Sequence, residues 1–279
     1  AFGHIFYFSQ KYFSFSDRGR VFPKNEVLEF IQMNQGYYRS WGVGEAFLEN
    51  NFASQYVIFW PEGYDSLNNR SYGEFTYAMQ GAGLADFVFR ADAGLGRGKT
   101  AELIDNPSRR RLVDMVGVKY VIVKSDEEKA LSLYNFKKVF ESGKYTVFEN
   151  LTVMPRAFLA SNYEGPPHLE GFLQGSGQAG QAPEEVAKIR RKLIPGKLLS
   201  EDFDFRNVVI LEEPSPISPQ FSEGTVEIVS YKPKEVIIRT KSDQPKLLFL
   251  SDNYYPGWKA TVDGDETEIL RANYTFRAV

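Results

Sequence analysis

Two hydrophobic periodicities divide this chain. In the first 150 residues, apolar positions recur at helical spacing and in short continuous runs. Pro23 to Asn34, PKNEVLEFIQMN, sets Val27, Leu28, Phe30 and Ile31 along a short amphipathic helix, with Pro near its first turn and Gly36 as its stop. YRSWGVGE, from Tyr38, reads as a strand and turn. Residues 65–80 are expected to be helical, with Asp65 or Ser66 as the N-cap. The clearest unit runs from Asp105 to Ser125. Asp105 or Asn106 caps, Pro107 enters, Arg109 to Val116 forms the helix, Gly117 ends it, and Val118 to Val123 is a buried strand. EEKALSLYN, ending at Asn135, predicts a short helix. KKVFESGKYTVFEN predicts a hairpin turning at Ser142-Gly143.

Beyond residue 150 the pattern changes. EGPPHLEGFLQGSGQAGQAP, from Glu164, is a Gly- and Pro-rich loop expected to be exposed, and PEEVAKIRRKL predicts one helix. From Asp204 on, short apolar-alternating segments recur about every ten residues, with Gly, Pro, Asp and Asn between them. VDGDE carries a hairpin tip at Asp263-Gly264 or Gly264-Asp265. The expected fold class is α+β: an α/β part over 1–150, then an antiparallel β-sandwich of immunoglobulin or jelly-roll type over 151–279. A Gly/Pro-rich loop and helix are inserted at 163–200.

Composition narrows the function classes. A chain of 279 residues with 43% hydrophobic and 15% aromatic content can bury a substantial core. A net charge of −3 gives no footprint for nucleic acid. Arg109-Arg110-Arg111 is a basic run expected on a solvated helix face. Without cysteine there is no thiol catalysis, disulfide or Cys-based zinc site. His4 and His168 stand in unlike contexts, which argues against a Ser-His-Asp triad or a His-rich metal site. The expectation is no metal, no cofactor and no catalytic residue. No apolar run is long enough to cross a bilayer. The aromatic start, AFGHIFYFSQKYFSF, is unlike a signal peptide and reads as the interior of a longer protein.

DFVFRADAGLGRGKTAEL looks at first like a phosphate loop. Counted back from Gly98, however, the first required glycine falls on Ala93, and Gly94 comes one residue late. A flexible loop leading into a helix fits better.

The last third carries a motif. SDNYYPGW (Ser251 to Trp258), VDG (Val262 to Gly264), and Ala272-Asn273 followed by Phe276 to Val279 resemble the soluble region of YfhO-type bacterial multi-pass membrane proteins. These are related to the GT-C superfamily of lipid-linked-sugar glycosyltransferases. GYDSLNNRSYGEF, LVDMVGVKYVIVK and VFENLTVMPRAFL match more softly upstream. The resemblance implies an extracytoplasmic segment at the cell membrane, with transmembrane helices on either side as its partner. Family members usually continue past Phe-Arg-Ala-Val with one more strand. The catalytic acid of GT-C enzymes lies on an early loop with no counterpart in this chain, so no catalytic residue carries over.

Two stretches have the residue types of a carbohydrate site, aromatic faces beside carboxylates and amides. One is Asp252, Tyr254, Tyr255 and Trp258. The other is the loop with Trp60, Tyr64 and Asp65. For the first, the favoured reading is structural: Tyr255-Pro256-Gly257-Trp258 forms a tight corner, and Trp258 plugs the core. The carboxylate pairs Asp202/Asp204 and Asp263/Asp265 are expected to be solvated turn residues rather than a glycosidase pair. The function expected is an accessory module contacting cell-envelope glycan or lipid-linked sugar. The alternative is a purely structural or partner-binding ectodomain.

Overall fold

A computed structural model describes residues 2–13, 17–23, 25–49, 51–78, 92–95, 106–127, 134–165, 193–213, 215, 217 and 222–279. The Gly/Pro-rich loop after Gly165, most of the predicted 183–193 helix, most of the false phosphate loop, residues 128–133 and His168 lie outside them.

The fold is α+β. Its N-terminal part is built on a four-stranded sheet in the order Arg39–Gly42, Val118–Lys124, Tyr145–Asn150, Phe136–Ser142. The first pair is parallel and the other two are antiparallel. The central strand explains its own sequence. Tyr120 and Ile122 face a cluster with Val27 and Ile31 of helix Glu26–Asn34. Val121 and Val123 face the opposite cluster, with Leu112 and Val113 of helix Pro107–Met115. A strand buried on both faces reads as one apolar run.

Punctuation residues act as their chemistry dictates. The Asn25 side chain accepts from Val27 N and Leu28 N, and that of Asn106 from Arg109 N, with Pro107 in the first turn. Gly36, Gly117 and Gly143 take positive φ at the helix stops and hairpin tip. One boundary moves. Helix Arg70–Tyr77 starts five residues after the predicted cap at Asp65, because Asn69 caps it and accepts from Tyr72 N. Asp65 instead closes a local turn by accepting from Leu67 N at 2.8 Å.

The C-terminal half is rich in antiparallel sheet. Four strands pair in the order Leu270–Ala272, Phe276–Ala278, Leu247–Leu250, Ala157–Ala160. Gly224–Lys232 and Glu235–Ser242 form a long hairpin, and Ala260–Val262 with Asp265–Thr267 a short one. Asp263 and Gly264 at the tip of the short hairpin both have positive φ, as a two-residue twisted turn requires. Asn162–Glu164 and Val208–Ile210 pair in parallel, an arrangement the strand spacing did not announce.

Residue 150 is no break in the core. One buried cluster runs from Trp41 and Phe75 through Val121 and Phe148 into Ile194, Val209, Phe249 and Phe276. Phe75 meets Phe276 edge-on at 5.2 Å between centroids, tying the helix after Asn69 to the last strand. Polar ties follow the same route. Arg206 donates to Asp114 at 2.9 Å, and Asp114 also accepts from Asn150 and Thr152. Its carboxyl is pushed up by burial, which these donors oppose. The expected solvated face of Arg109 to Arg111 is not what forms. All three are half-buried, and Arg111 donates to the backbone carbonyls of Leu198 and Phe203 across the two halves. Long side chains with apolar stems serve such a seam well.

Candidate functional site

Where the strand ends of the two sheets meet, one carboxylate collects three guanidinium groups. Asp252 follows strand Leu247–Leu250 and is 7% exposed. Its Oδ1 accepts from Arg156 Nη2 at 2.8 Å, Arg156 Nε at 3.0 Å and Arg39 Nη2 at 3.2 Å. Its Oδ2 accepts from the Tyr231 hydroxyl at 2.7 Å and Arg277 Nη2 at 3.0 Å. The donors come from different parts of the chain. Arg39 opens the parallel strand, Arg156 precedes strand Ala157–Ala160, Tyr231 lies on the long hairpin, and Arg277 is in the last strand. Arg39 also donates to Val116 O and Ser251 O, and Arg156 to Tyr37 O. The Arg156 guanidinium lies over the Phe59 and Tyr231 rings at 4.5 and 4.1 Å.

Burial alone would raise the Asp252 pKa, but Arg156 and Arg39 hold it below the ordinary carboxylate range. Burial lowers Arg39, and the neighbouring Arg156 lowers it further. The Tyr231 hydroxyl is pushed up to about 12 by burial and by the Asp252 charge. Tyr72, whose hydroxyl donates to Pro61 O at 2.6 Å, is likewise raised to about 12, chiefly by burial.

This cluster forms the inner wall of a cavity of about 620 Å³. That volume lies in the range of small-ligand sites. Its other walls bring together the two stretches singled out in the sequence. Trp60, Tyr64 and Asp65 line it from one side, Asp252 and Trp258 from the other. Tyr64 and Asp65 are exposed, while Trp60 packs partly into the core. The loop is held by Asn51, whose side chain donates to Tyr64 O and accepts from Tyr64 N. The short strand Asp92–Ala93 pairs with Gly63–Tyr64, so the described part of the false phosphate loop props this aromatic loop.

Tyr254 and Tyr255 are not among the lining residues. Tyr254 is half-buried, its N–H donates to Thr275 O, and its ring lies 4.8 Å from the Arg271 guanidinium carbon. Tyr255 is exposed at the start of the turn. That turn is the tight corner expected of Pro-Gly: Gly257 has φ 102°, and Trp258 N reaches back to Tyr255 O. Trp258 does not plug the core, however. It is half-buried over the Arg277 guanidinium, 4.5 Å from ring centroid to carbon. Val262, on the strand that follows, is 50% exposed. The corner turns the chain away from the four-stranded sheet, and the short hairpin beyond it stands as a separate pair. Trp258 and Arg277 also line a second cavity of about 720 Å³, so they stand between the two.

The arginines escaped the sequence-based selection. Their signal was present: Pro155-Arg156-Ala157-Phe158 and Phe276-Arg277-Ala278-Val279 each set a lone arginine inside an apolar run. A charge in a strand that is otherwise buried needs a partner. Among the described residues, no group of three or more His, Asp or Glu is arranged to hold a metal ion. Asp202 and Asp204 are local turn groups; the latter accepts from Arg206 N and Asn207 Nδ2. Comparison of the chain with protein-family models, curated proteins and solved structures finds no match.

Proposed function

We propose that this chain is an extracytoplasmic accessory domain of a polytopic membrane protein related to lipid-linked-sugar glycosyltransferases, and that the cavity contacts a glycan. The observation that carries the reading is the convergence of two aromatic and acidic stretches, distant in sequence, on one cavity. Half-buried Trp258 and exposed Tyr64 offer ring faces, while Asp65 and Asn253 offer polar groups beside them. Sugars present CH faces and hydroxyls together, and they need both kinds of partner. No catalytic role is assigned to any residue.

The test is titration of the purified chain with a panel of soluble cell-envelope oligosaccharides, read by calorimetry. At least one should bind saturably. Tyr64→Ala and Trp258→Ala should each weaken that binding about tenfold or more while the melting curve shows a folded protein. Loss of binding only in variants that have unfolded, or no binding across the panel, would reject the glycan reading.

The helix Phe2–Tyr12 supports placement at a membrane face. None of its residues is buried, and Phe2, Ile5, Phe6, Tyr7, Phe8 and Tyr12 are all well exposed. Aromatic side chains of this kind seat at bilayer interfaces. No helix among the described residues is long and apolar enough to cross a membrane. Vesicle co-sedimentation should therefore depend on this helix, and Ile5→Ser with Phe6→Ser should release the chain to the supernatant.

A further inference from the structure

We propose that the inner wall of the cavity is a subsite for an anionic oxygen group, phosphate or carboxylate, carried by the ligand. Charge is the first ground. Arg39, Arg156 and Arg277, at 6 to 11% side-chain exposure, face one carboxylate, Asp252. Three cations against one anion leave the cluster two positive charges in excess, in a place where water screens them poorly. Over the whole lining, Lys232 adds a cation and Glu62 and Asp65 add carboxylates, so four cationic side chains stand against three carboxylates and the excess remains positive. Glu62 accepts from Leu95 N, and Asp65 is exposed to solvent and accepts from Leu67 N.

Hydrogen bonding is the second ground. Three buried donor atoms on cavity-lining residues have no partner: the Trp60 indole Nε1, the Asn68 amide Nδ2 and Arg277 Nε; the Glu62 carboxylate is an acceptor on the same lining. Buried polar groups rarely go unpaired, and a wall of unpaired donors selects a ligand rich in acceptors.

Arg277 is the pivotal group. It is 7% exposed, its Nη2 holds Asp252, and Trp258 covers its guanidinium. Arg39 and Arg156 direct further N–H groups at Val116 O, Ser251, Tyr37 O and the Tyr231 hydroxyl. The Nε of Arg277 remains for an incoming oxygen, and guanidinium bonds to phosphate or carboxylate are among the stronger ones available.

This proposal deepens the glycan reading by giving the ligand a charge, yet its first test does not depend on any sugar. Inorganic phosphate is titrated into the full chain at constant ionic strength, with tryptophan fluorescence as the readout, since Trp60 and Trp258 both line the cavity. Saturable binding is expected. Arg277→Gln should weaken it at least tenfold. Because that variant also loses a bond to Asp252, Trp60→Phe and Asn68→Ala are measured beside it; each removes one donor outside the Asp252 network and should weaken phosphate several-fold in a folded protein. The absence of saturable phosphate binding, or identical affinity in wild type, Trp60→Phe and Asn68→Ala, overturns the proposal.

Two further arms find the source of the anion. Glucose 1-phosphate and glucuronate are compared with glucose, and vesicles containing phosphatidate with vesicles of phosphatidylcholine alone. A preference for the charged solutes of tenfold or more, lost in Arg277→Gln, assigns the anion to an acidic sugar. The same preference confined to phosphatidate vesicles assigns it to a lipid headgroup. If phosphate binds and every sugar fails, the anion subsite stands and the glycan reading falls.

Discussion

At the residue scale, Asp252 holds most of the site together. It neutralises part of a cluster whose three arginines lie far apart in sequence. Removing one partner from a buried ionic group leaves the others uncompensated, at a cost of about 3–5 kcal/mol. Asp252→Asn should therefore lower the urea midpoint by that equivalent or prevent folding. Asp265→Asn, at an exposed position in the short hairpin, should stay within about 0.5 kcal/mol of wild type. Trp258 tests a different term. A core-filling tryptophan would cost about 3–5 kcal/mol on truncation. Half-buried over Arg277, it should cost about 1–2 kcal/mol, from partial burial and one cation–π contact. Thermal melts of wild type and Trp258→Ala measure the difference.

At the element scale, close backbone approaches set the geometry around the site. Strand Arg39–Gly42 ends against the short helical turn Gly44–Ala46. A Cβ on Gly42 would lie 2.0 Å from the Ala46 carbonyl oxygen, which is backbone and cannot swing aside. Gly42→Ala should cost about 3 kcal/mol, at the upper end for overpacking, with the loss visible in equilibrium unfolding. The Asn69 cap has a double duty. Its carbonyl oxygen caps helix Arg70–Tyr77 and its amide donates to Tyr254 O at 2.9 Å, so it joins the two aromatic stretches. The turn between the last two strands is built in the same economical way. Asn273 and Tyr274 take φ of 46° and 74°, the Asn273 side chain accepts from Ile210 N, and the Tyr274 hydroxyl donates to Glu74. The Ala-Asn-Tyr portion of the C-terminal motif thus has a structural duty, while Arg277, four residues after Asn273, faces the cavity.

At the scale of the whole molecule, one core and one buried charge cluster cross residue 150. Unfolding should accordingly be a single transition, with coincident midpoints by fluorescence and far-ultraviolet circular dichroism. Alkaline pH should weaken the fold in a defined window. Tyr72 and Tyr231 are raised to about 12 in the folded chain, while unfolded tyrosine titrates near 10. A pKa higher in the folded state means that the folded protein holds its proton more tightly. The associated stability is complete below about pH 10 and is lost as pH rises to about 12. Absorbance at 295 nm should show these two tyrosines ionising only as the chain unfolds. Early ionisation of all tyrosines with the fold intact would contradict the burial of both hydroxyls.

Local chemistry was legible in the chain itself. The cap at Asn106, the stops at Gly36 and Gly117, the Pro-Gly corner and the Asp263-Gly264 tip depend on φ preferences and on hydrogen bonds spanning a few residues. Those forces act within the segment that encodes them. The α+β class followed from the same signals, and so did the aromatic stretches around Trp60 and Trp258. Their meeting did not. Which side of the Pro-Gly corner Trp258 faces depends on what the neighbouring sheet offers, and Arg277 offers a cation. Arg39, Arg156 and Arg277 are up to 238 residues apart, yet share one carboxylate. A buried charge is tolerable only where the folded chain supplies its counter-charge. No local preference of an arginine states where that partner will come from, so only the tertiary structure could assemble the cavity wall.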